Sequence, residues 1–166
     1  MALLFVGRTL CPLCGIVIKE GEKAHVFPPF VMNSKDVCFD LSDAAVHATC
    51  LDADKRREEA LRRVVERVEK VGPGKRKCVV CALEIIEPED YLFIDYLANA
   101  VTHALGRFNY THLHKSCAPR WGESRGFVKL ASEAIASDAW GGPYLAFLLR
   151  DIKAAGSKDY ESDRPG

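Results

Sequence analysis

Cys11-Pro-Leu-Cys14 is followed, with residues 15–46 in between, by His47-Ala-Thr-Cys50, and these two short stretches decide the fold of this 166-residue chain. The same residue types return at the same spacing in Cys78-Val-Val-Cys81 and His114-Lys-Ser-Cys117. Every cysteine and histidine of the second set lies 67 positions after its counterpart in the first, which we call the repeat offset. Chance does not produce such a match, so the pattern predicts an internal repeat with one four-residue set in each copy.

The repeat extends beyond the cysteines and histidines. Residues 11–50 align with residues 78–117 without a gap and share seven identities in 40 positions. Three of these lie outside the two sets, at Ile18/Ile85, Glu20/Glu87 and Glu22/Glu89. Apolar character is kept at five further pairs: Ile16/Leu83, Phe27/Ile94, Phe30/Leu97, Leu41/Phe108 and Val46/Leu113. The pattern predicts that each copy packs a small apolar hairpin over its own set.

Each set has the composition of a structural zinc site. Three thiolates and one imidazole supply four ligands for tetrahedral Zn²⁺ and leave no position for water or substrate. The seventh cysteine, Cys38, aligns with Leu105 and is expected to fill a small apolar space. Reduced, metal-binding cysteines are typical of a reducing compartment, so we expect a cytoplasmic protein. The sequence predicts two structural zinc ions, one held by Cys11, Cys14, His47 and Cys50 and the other by Cys78, Cys81, His114 and Cys117.

The sequence predicts an α+β chain with two tandem zinc units and a helical C-terminal extension. Short strands are expected at residues 16–18 and 24–27 around a turn at 20–22, and again at 83–86 and 91–96. Further helices are expected near residues 127–137 and 143–154. A helix is expected over residues 50–71, because an apolar stripe recurs there at helical spacing, formed by Leu61, Val64, Val65, Val68 and Val71. The predicted domains are a first zinc unit with the long amphipathic helix (1–72), a linker (73–77), a second zinc unit (78–122), a helical extension (123–155) and a flexible tail (156–166).

A Cys-x-x-Cys knuckle, a β-hairpin and two more ligands at the start of a helix resemble the layout of the treble-clef zinc fingers. The ligand order Cys-Cys-His-Cys is also similar to that of the first zinc site in LIM-type modules. The resemblance covers residues 8–72 and 76–122 and implies the two ligand sets given above. The chain departs from LIM modules, where the gap is shorter and a second set follows at once, and from RING domains, whose eight ligands interleave. The resemblance implies a zinc-rigidified surface of the kind that LIM-like adaptors use, and it assigns no subfamily.

The composition excludes several classes of protein. The 23 basic and 23 acidic side chains cancel, which disfavours a surface built entirely for nucleic acid or anionic membrane. The apolar runs fall short of the roughly 20 residues that span a bilayer. The N-terminal stretch lacks the basic region and the cleavage site of a secretion signal. We therefore expect no membrane association.

Residues 55–77 keep a nucleic-acid alternative open. They carry ten Lys or Arg against four Glu. Arg56, Arg63, Arg67 and Lys70 are expected on one helical face, where they could track the phosphates of DNA or RNA. The simpler interpretation is a solvated face, because the interspersed glutamates can pair with the arginines at i,i+3 or i,i+4 spacing.

An HNH-like, metal-dependent nuclease is the third alternative. His25 could act as the general base with Asn33 and Asp36 or Asp40 beside it, but its counterpart in the repeat is Leu92. Because both zinc sites are expected to be closed, no catalytic residue is predicted. The leading hypothesis is a non-catalytic, zinc-stabilised module that recognises another protein as an adaptor, regulator or inhibitor.

Overall fold

The computed structural model describes residues 3–157, and its contacts divide the chain between Glu69 and Lys70 into two α+β units. The first unit contains strands β1 (Ala24–Val26) and β2 (Ala45–His47), with a 3₁₀-helix (Phe39–Leu41) between them. Helix α1 (Ala48–Ala53) follows β2 directly, and helix α2 (Arg57–Val71) ends at the boundary between the units. The two strands pair antiparallel, with Ala24 opposite His47.

The second unit contains strands β3 (Tyr91–Ile94) and β4 (Thr111–His114), which also pair antiparallel. Three 3₁₀-helices lie beside them, at Pro88–Asp90, Ala104–Phe108 and Lys115–Arg120. Helices α3 (Ser124–Ala136) and α4 (Tyr144–Ser157) complete the unit. Residues 158–166 of the predicted flexible tail lie outside the described residues. Within residues 3–157, no helix combines the length and the apolar character needed to cross a membrane.

The two units match element by element at the repeat offset. Tyr91 faces His114 in β3–β4 just as Ala24 faces His47 in β1–β2. Helix α1 corresponds in position to the 3₁₀-helix Lys115–Arg120, and the first residue of α3 is the counterpart of the first residue of α2. The correspondence therefore continues through α3, which the predicted domains assign to the extension. Helix α4 is the segment that has no counterpart in the described part of the first unit.

A hydrogen-bonding side chain stands at the same place in both units although its identity differs. The Ser42 hydroxyl accepts from the backbone N–H groups of Phe30 and Val31, at 2.9 and 3.0 Å. Its counterpart, the Asn109 side chain, accepts from the N–H of Leu97 at 2.8 Å and donates to the carbonyl of Ala98 at 2.7 Å. Both side chains form hydrogen bonds with backbone groups of the loop that leads into the 3₁₀-helix, because buried backbone groups need such partners.

The predicted pairing of neighbouring strands is wrong in both units. Residues 16–18 turn back on the segment before the knuckle, because Cys11 N–H donates to Ile16 at 2.9 Å and Ile18 N–H donates to Thr9 at 2.9 Å. The isolated bridges Leu10–Val17 and Lys77–Glu84 mark this turn in the two units. The second strand of each sheet instead comes from the segment that leads into the His-x-x-Cys step.

The predicted continuous helix over residues 50–71 is interrupted at Asp54. The backbone of Asp54 is extended, and its carboxylate accepts from the N–H of Arg56 at 2.7 Å and from the Arg56 guanidinium at 2.8 Å. These bonds lower the pKa of Asp54 to about 2, chiefly through the Arg56 side chain. An aspartate that binds the backbone two residues ahead favours a turn over a continuing helix.

The apolar stripe predicted on this helix lies only partly in the core. Ala60 and Arg63 are the buried positions of α2, whereas Val65 and Val68 are 57% and 64% exposed. The buried Arg63 guanidinium donates to Asp36 and to Glu59, both at 2.7 Å. A charge in the core is tolerated because acidic partners surround it.

The second unit fills the corresponding space with aromatic rings. Phe108, Trp121 and Phe127 pack with ring centroids 5.2–5.9 Å apart and are nearly completely buried. Phe127 is the counterpart of Ala60, and Leu130 is the counterpart of Arg63. The two units thus share an arrangement of helices and strands, but different side chains fill their cores.

We expect a reciprocal exchange at the residue after each knuckle to separate backbone strain from packing. Gly15 and Ala82 are counterparts, both with positive φ (71° and 61°), and a Cβ added at Gly15 meets no atom within 4 Å. Gly15→Ala should therefore destabilise the first unit by about 1 kcal/mol through left-handed strain alone. Ala82→Gly should stabilise the second unit by less than about 1 kcal/mol, since the freer unfolded chain offsets part of the gain. Thermal unfolding of the metal-loaded proteins measures both changes, and equal destabilisation by the two variants would contradict the assignment of strain.

Candidate metal centres

The first predicted set converges in the structure. The four ligand atoms of Cys11, Cys14, His47 and Cys50 lie within 4.8 Å of one another. The knuckle turn brings the first two sulfurs together, strand β2 ends at His47, and α1 supplies Cys50 one turn later. His47 points Nδ1 into the set, 3.4 Å from the sulfur of Cys14 and 3.8 Å from that of Cys50. Nδ1 is therefore the nitrogen available to a metal ion.

The second set repeats this geometry. The ligand atoms of Cys78, Cys81, His114 and Cys117 again lie within 4.8 Å of one another. His114 Nδ1 is 3.4 Å from the sulfur of Cys81 and 3.9 Å from that of Cys117. Among residues 3–157, these two sets are the groups of donors close enough to hold a metal ion. The chain therefore offers two Cys3His sites, each able to take one ion.

Hydrogen bonds from backbone amides lower the pKa of one cysteine in each set. Burial raises the pKa of the Cys11 thiol, but hydrogen bonds from the backbone of His47 and the knuckle outweigh it and lower the pKa to about 7. Burial opposes the same effect at Cys78, where amides of His114 and the knuckle lower the pKa to about 6. The His114 amide lies 3.5 Å from the Cys78 sulfur. Because a metal binds the thiolate, these sulfurs give up a proton to the incoming ion at reduced cost.

The remaining sulfurs hold their protons more firmly when no ion is bound. A hydrogen bond with Cys14 and partial burial raise the pKa of Cys50 to about 11. Burial and the neighbouring sulfurs likewise raise the pKa of Cys117. Clustered thiols resist joint ionisation because their charges repel, and a divalent cation removes this repulsion. The donor chemistry of both sets therefore fits a bound metal ion.

The surroundings of the two sites differ in charge. Glu22 lies 3.2 Å from His47 Nε2, on the side of the ring away from the sulfurs, and it also accepts from the N–H of Lys19. A carboxylate on the outer nitrogen fixes the tautomer of a ligating histidine and raises its basicity. In the second site, the Arg120 guanidinium lies 3.5 Å from the Cys117 sulfur. The first ligand set is thus supported by an anion and the second by a cation.

Sequence reasoning missed both supporting residues. Glu22 belongs to an identity between the two copies, which was a signal of a role beyond the turn. Its counterpart Glu89 does something else, because its backbone carbonyl accepts from Lys115 Nζ at 2.6 Å. Arg120 carried no signal, since its counterpart is Ala53.

The residues considered for phosphate binding are not all at the surface. Arg63 is buried against Asp36 and Glu59, and Arg56 pairs with Asp40 at 2.7 Å and with Asp54. Arg67 is half-buried and Lys70 is exposed. The predicted face of four cations is therefore not brought together as one exposed surface.

The residues considered for a nuclease are also distributed differently. His25 is exposed and its ring lies 6.5 Å from that of Phe27. Asp36 is engaged by Arg63, and Asp40 is engaged by Arg56. Asn33 accepts from the N–H of Lys35 at 3.0 Å. The acids that would accompany His25 thus bind arginines of the first unit.

His112, which stands two residues before His114, is a buried connector rather than a ligand. Tyr91 donates its hydroxyl proton to His112 Nδ1 at 2.7 Å, and Nε2 donates to the Lys70 carbonyl at 3.1 Å. Burial lowers the pKa of His112, so the neutral ring is favoured. Both ring nitrogens are occupied by neighbours, and the metal set is complete without them.

Both sites bring four donor atoms within 4.8 Å of one another, so each arrangement can hold an ion and link distant parts of the chain. No protein-family model matches this chain, and no curated protein or solved structure is significantly similar to it. The chemistry of the chain must therefore be derived from its own residues.

We expect loss of one ligand to remove one ion and to unfold one unit. Cys14→Ser and Cys81→Ser should each reduce bound metal from two ions to one, because three remaining donors bind far more weakly than four. Cys38→Ser is the matched control, since Cys38 is buried but belongs to neither set. Elemental analysis and amide exchange measure the two effects. A stable variant with two ions after loss of Cys14 or Cys81 would refute the ligand assignment.

We expect the Glu22 carboxylate to strengthen the first site selectively. Glu22→Gln keeps the length of the side chain but removes its charge beside His47, and it should lower metal affinity up to about tenfold. Glu89→Gln is the matched control and should change affinity by less than about twofold, since the Glu89 contact uses the backbone. Competition with a chromophoric chelator measures both. Equal weakening by the two variants would show that general surface charge, and not the histidine contact, is responsible.

Proposed function

We propose that both sites hold structural zinc and that the two units are treble-clef-like copies of one duplicated ancestor. The donor set of three sulfurs and one imidazole is typical of tetrahedral Zn²⁺. The strand register that the two units share at the repeat offset supports the duplication. Positive φ at two pairs of counterparts, Gly15/Ala82 and Asp43/Tyr110, supports it independently, because sequence similarity is weak at both pairs. Seven free cysteines suit a reducing, cytoplasmic setting.

We further propose that the chain is a non-catalytic module that recognises another protein, as an adaptor, regulator or inhibitor. The observation that carries this proposal is a contrast between the charged and the apolar side chains of its surface. The arginines of α2 are largely neutralised by acids of the same unit, while large apolar side chains stay exposed. Exposed apolar surface is used for protein contacts, whereas phosphate binding needs uncompensated cations.

Eight large apolar side chains that lie near the knuckles in the sequence are exposed. In the first unit, Leu10 and Ile16 are each 59% exposed and lie on the turn that carries Cys11 and Cys14. In the second unit, Leu83, the counterpart of Ile16, is 66% exposed. A metal ion would hold these side chains outward on a rigid turn, which lowers the entropy cost of binding a partner. The side chains near the knuckles are Leu3, Phe5, Val6, Leu10 and Ile16 in the first unit and Val79, Leu83 and Ile86 in the second.

A DNA- or RNA-binding function is the less supported alternative. Lysines at 55, 70, 75 and 77 are exposed, and they preserve part of the local positive charge. Charge reversal at Arg63, however, would break a buried ion pair and test folding instead of phosphate contact. A nuclease is supported less still, since Asp36 and Asp40 are held by arginines.

The distinguishing experiment measures nucleic-acid binding and protein capture with the same zinc-loaded chain. Fluorescence anisotropy with random-sequence duplex and single-stranded DNA should show no binding at about 50 mM salt. A tagged chain incubated with nuclease-treated lysate should retain a protein partner, and the chelator-treated chain should not.

Affinity for DNA that falls steeply between about 50 and 200 mM salt would contradict the proposal and indicate several phosphate contacts. Lys70→Glu would then be the variant that locates them, because Lys70 is exposed whereas Arg63 is not. Retention of a protein by the chelator-treated chain as well would show that the zinc-dependent surface is not the one used.

A further inference from the structure

Helix α4 covers one face of the second unit. It packs against α3 and against the 3₁₀-helix Lys115–Arg120. Its apolar side consists of Leu145, Leu148, Leu149 and Ile152, all at most 7% exposed. At its first turn, the Tyr144 hydroxyl accepts from the Asp95 N–H at 2.9 Å and donates to the Phe93 carbonyl at 3.2 Å. The helix therefore covers both α3 and the end of β3.

The part of α3 that lies under α4 can be named. Ser124 and Val128 line a cleft together with Ile152 of α4, and Ala131 is completely buried. Ser132 and Ile135 follow Val128 by four and seven residues and continue this side along α3, and Ile135 is 40% exposed. Phe127 and Ala134, which are buried in the core of the unit, lie four residues before and three residues after Ala131, so Ala131 stands between the core side and the α4 side of α3.

The corresponding side of α2 has no helix of its own unit upon it within the described residues, because α4 has no counterpart there. The counterparts of Val128, Ala131, Ser132 and Ile135 are Leu61, Val64, Val65 and Val68, which we call the α2 stripe, and the counterpart of Ser124 is Arg57. Leu61 and Val64 are half-buried, and Val65 and Val68 are 57% and 64% exposed. The α2 stripe is entirely aliphatic, whereas the corresponding side of α3 includes Ala131 and Ser132. Val65 and Val68 are also more exposed than Ile135, the α3 counterpart of Val68, which is 40% exposed.

We propose that the α2 stripe binds an amphipathic helix from a partner protein, seated as α4 is seated on α3. This inference rests on the proposed function and adds a second apolar surface to the one around the knuckles. The occupant is a helix of three to four turns, like the 14-residue α4, with Leu or Ile at i, i+3/i+4 and i+7 on one side. It is not the chain's own α4, since that helix is already buried in the second unit.

The charges beside the α2 stripe favour recognition by apolar contact. Arg57 pairs with Asp52 and Glu58, and Arg62 pairs with Glu59 and Glu66. Because α2 carries five basic and four acidic side chains, its surface presents little net charge. Binding therefore depends on the aliphatic side of the partner helix and only weakly on salt.

A peptide of residues 143–157 serves as the probe, because it carries the helix that fits the corresponding face. Titrated into the full-length, zinc-loaded, ¹⁵N-labelled chain, it should shift amide resonances of residues 57–71. The double variant Val65→Asp/Val68→Asp should weaken this binding by at least about tenfold. Val101→Asp is the matched control with no expected effect, since Val101 is 93% exposed and lies elsewhere. Unchanged spectra of both variants outside the substituted turns would confirm that they fold.

Four results would overturn the inference. The first is an absence of shifts, and the second is shifts confined to residues 91–157, which would mean that the peptide exchanges with α4. The third is a concentration-dependent change in α2 without peptide, which would assign the stripe to a second copy of this chain. A protein partner that binds the Val65→Asp/Val68→Asp variant as well as the original chain would also overturn the surface while leaving protein recognition intact. Failure of the proposed function would instead be seen as salt-sensitive DNA binding.

Discussion

Each half of this chain depends on one closure, in which a Cys-x-x-Cys knuckle meets a His-x-x-Cys step from a distant part of the sequence. The backbone takes part directly, since amides of the knuckle and of the histidine point at the first sulfur. The same step starts a helix and ends a strand, so closing the loop also sets the pairing of β1 with β2 and of β3 with β4. Small units of this size bury little apolar surface, and a metal ion at the proposed site would add folding free energy at this closure.

The sequence was most informative where chemistry restricts the residue type. The two Cys3His sets could be predicted because few other residues serve as soft metal ligands and because the spacing repeats. The strand partners could not be predicted, since residues 16–18 read equally well as a strand beside 24–27 and as the returning arm of the knuckle. The end of α1 was missed for a similar reason. Asp54 stands inside a helical pattern, and only its bonds to Arg56 show that it starts a new helix.

The charge that α2 presents to solvent depends on contacts with residues that are remote in sequence. Counting residues 55–77 gives a strong positive excess, but Asp36 and Asp40 come from a loop well before the helix and neutralise Arg63 and Arg56. Periodicity likewise located an apolar stripe on this helix without indicating which part of it the core would use. In the second unit α4 packs against α3, and the proposed use of the α2 stripe follows from that comparison.

The hydrogen bonds made by Ser42 and Asn109 show what the architecture requires of its residues. A hydroxyl in one unit and an amide in the other accept hydrogen bonds from equivalent backbone N–H groups. The fold therefore needs an acceptor at this position and not a particular amino acid. If the proposed metal ligation supplies much of the stability, most other positions can change in sequence. Relatives of this chain would consequently be recognised by the spacing of ligands and by the hydrogen-bonding type at such positions, while percentage identity falls to the level expected of unrelated sequences.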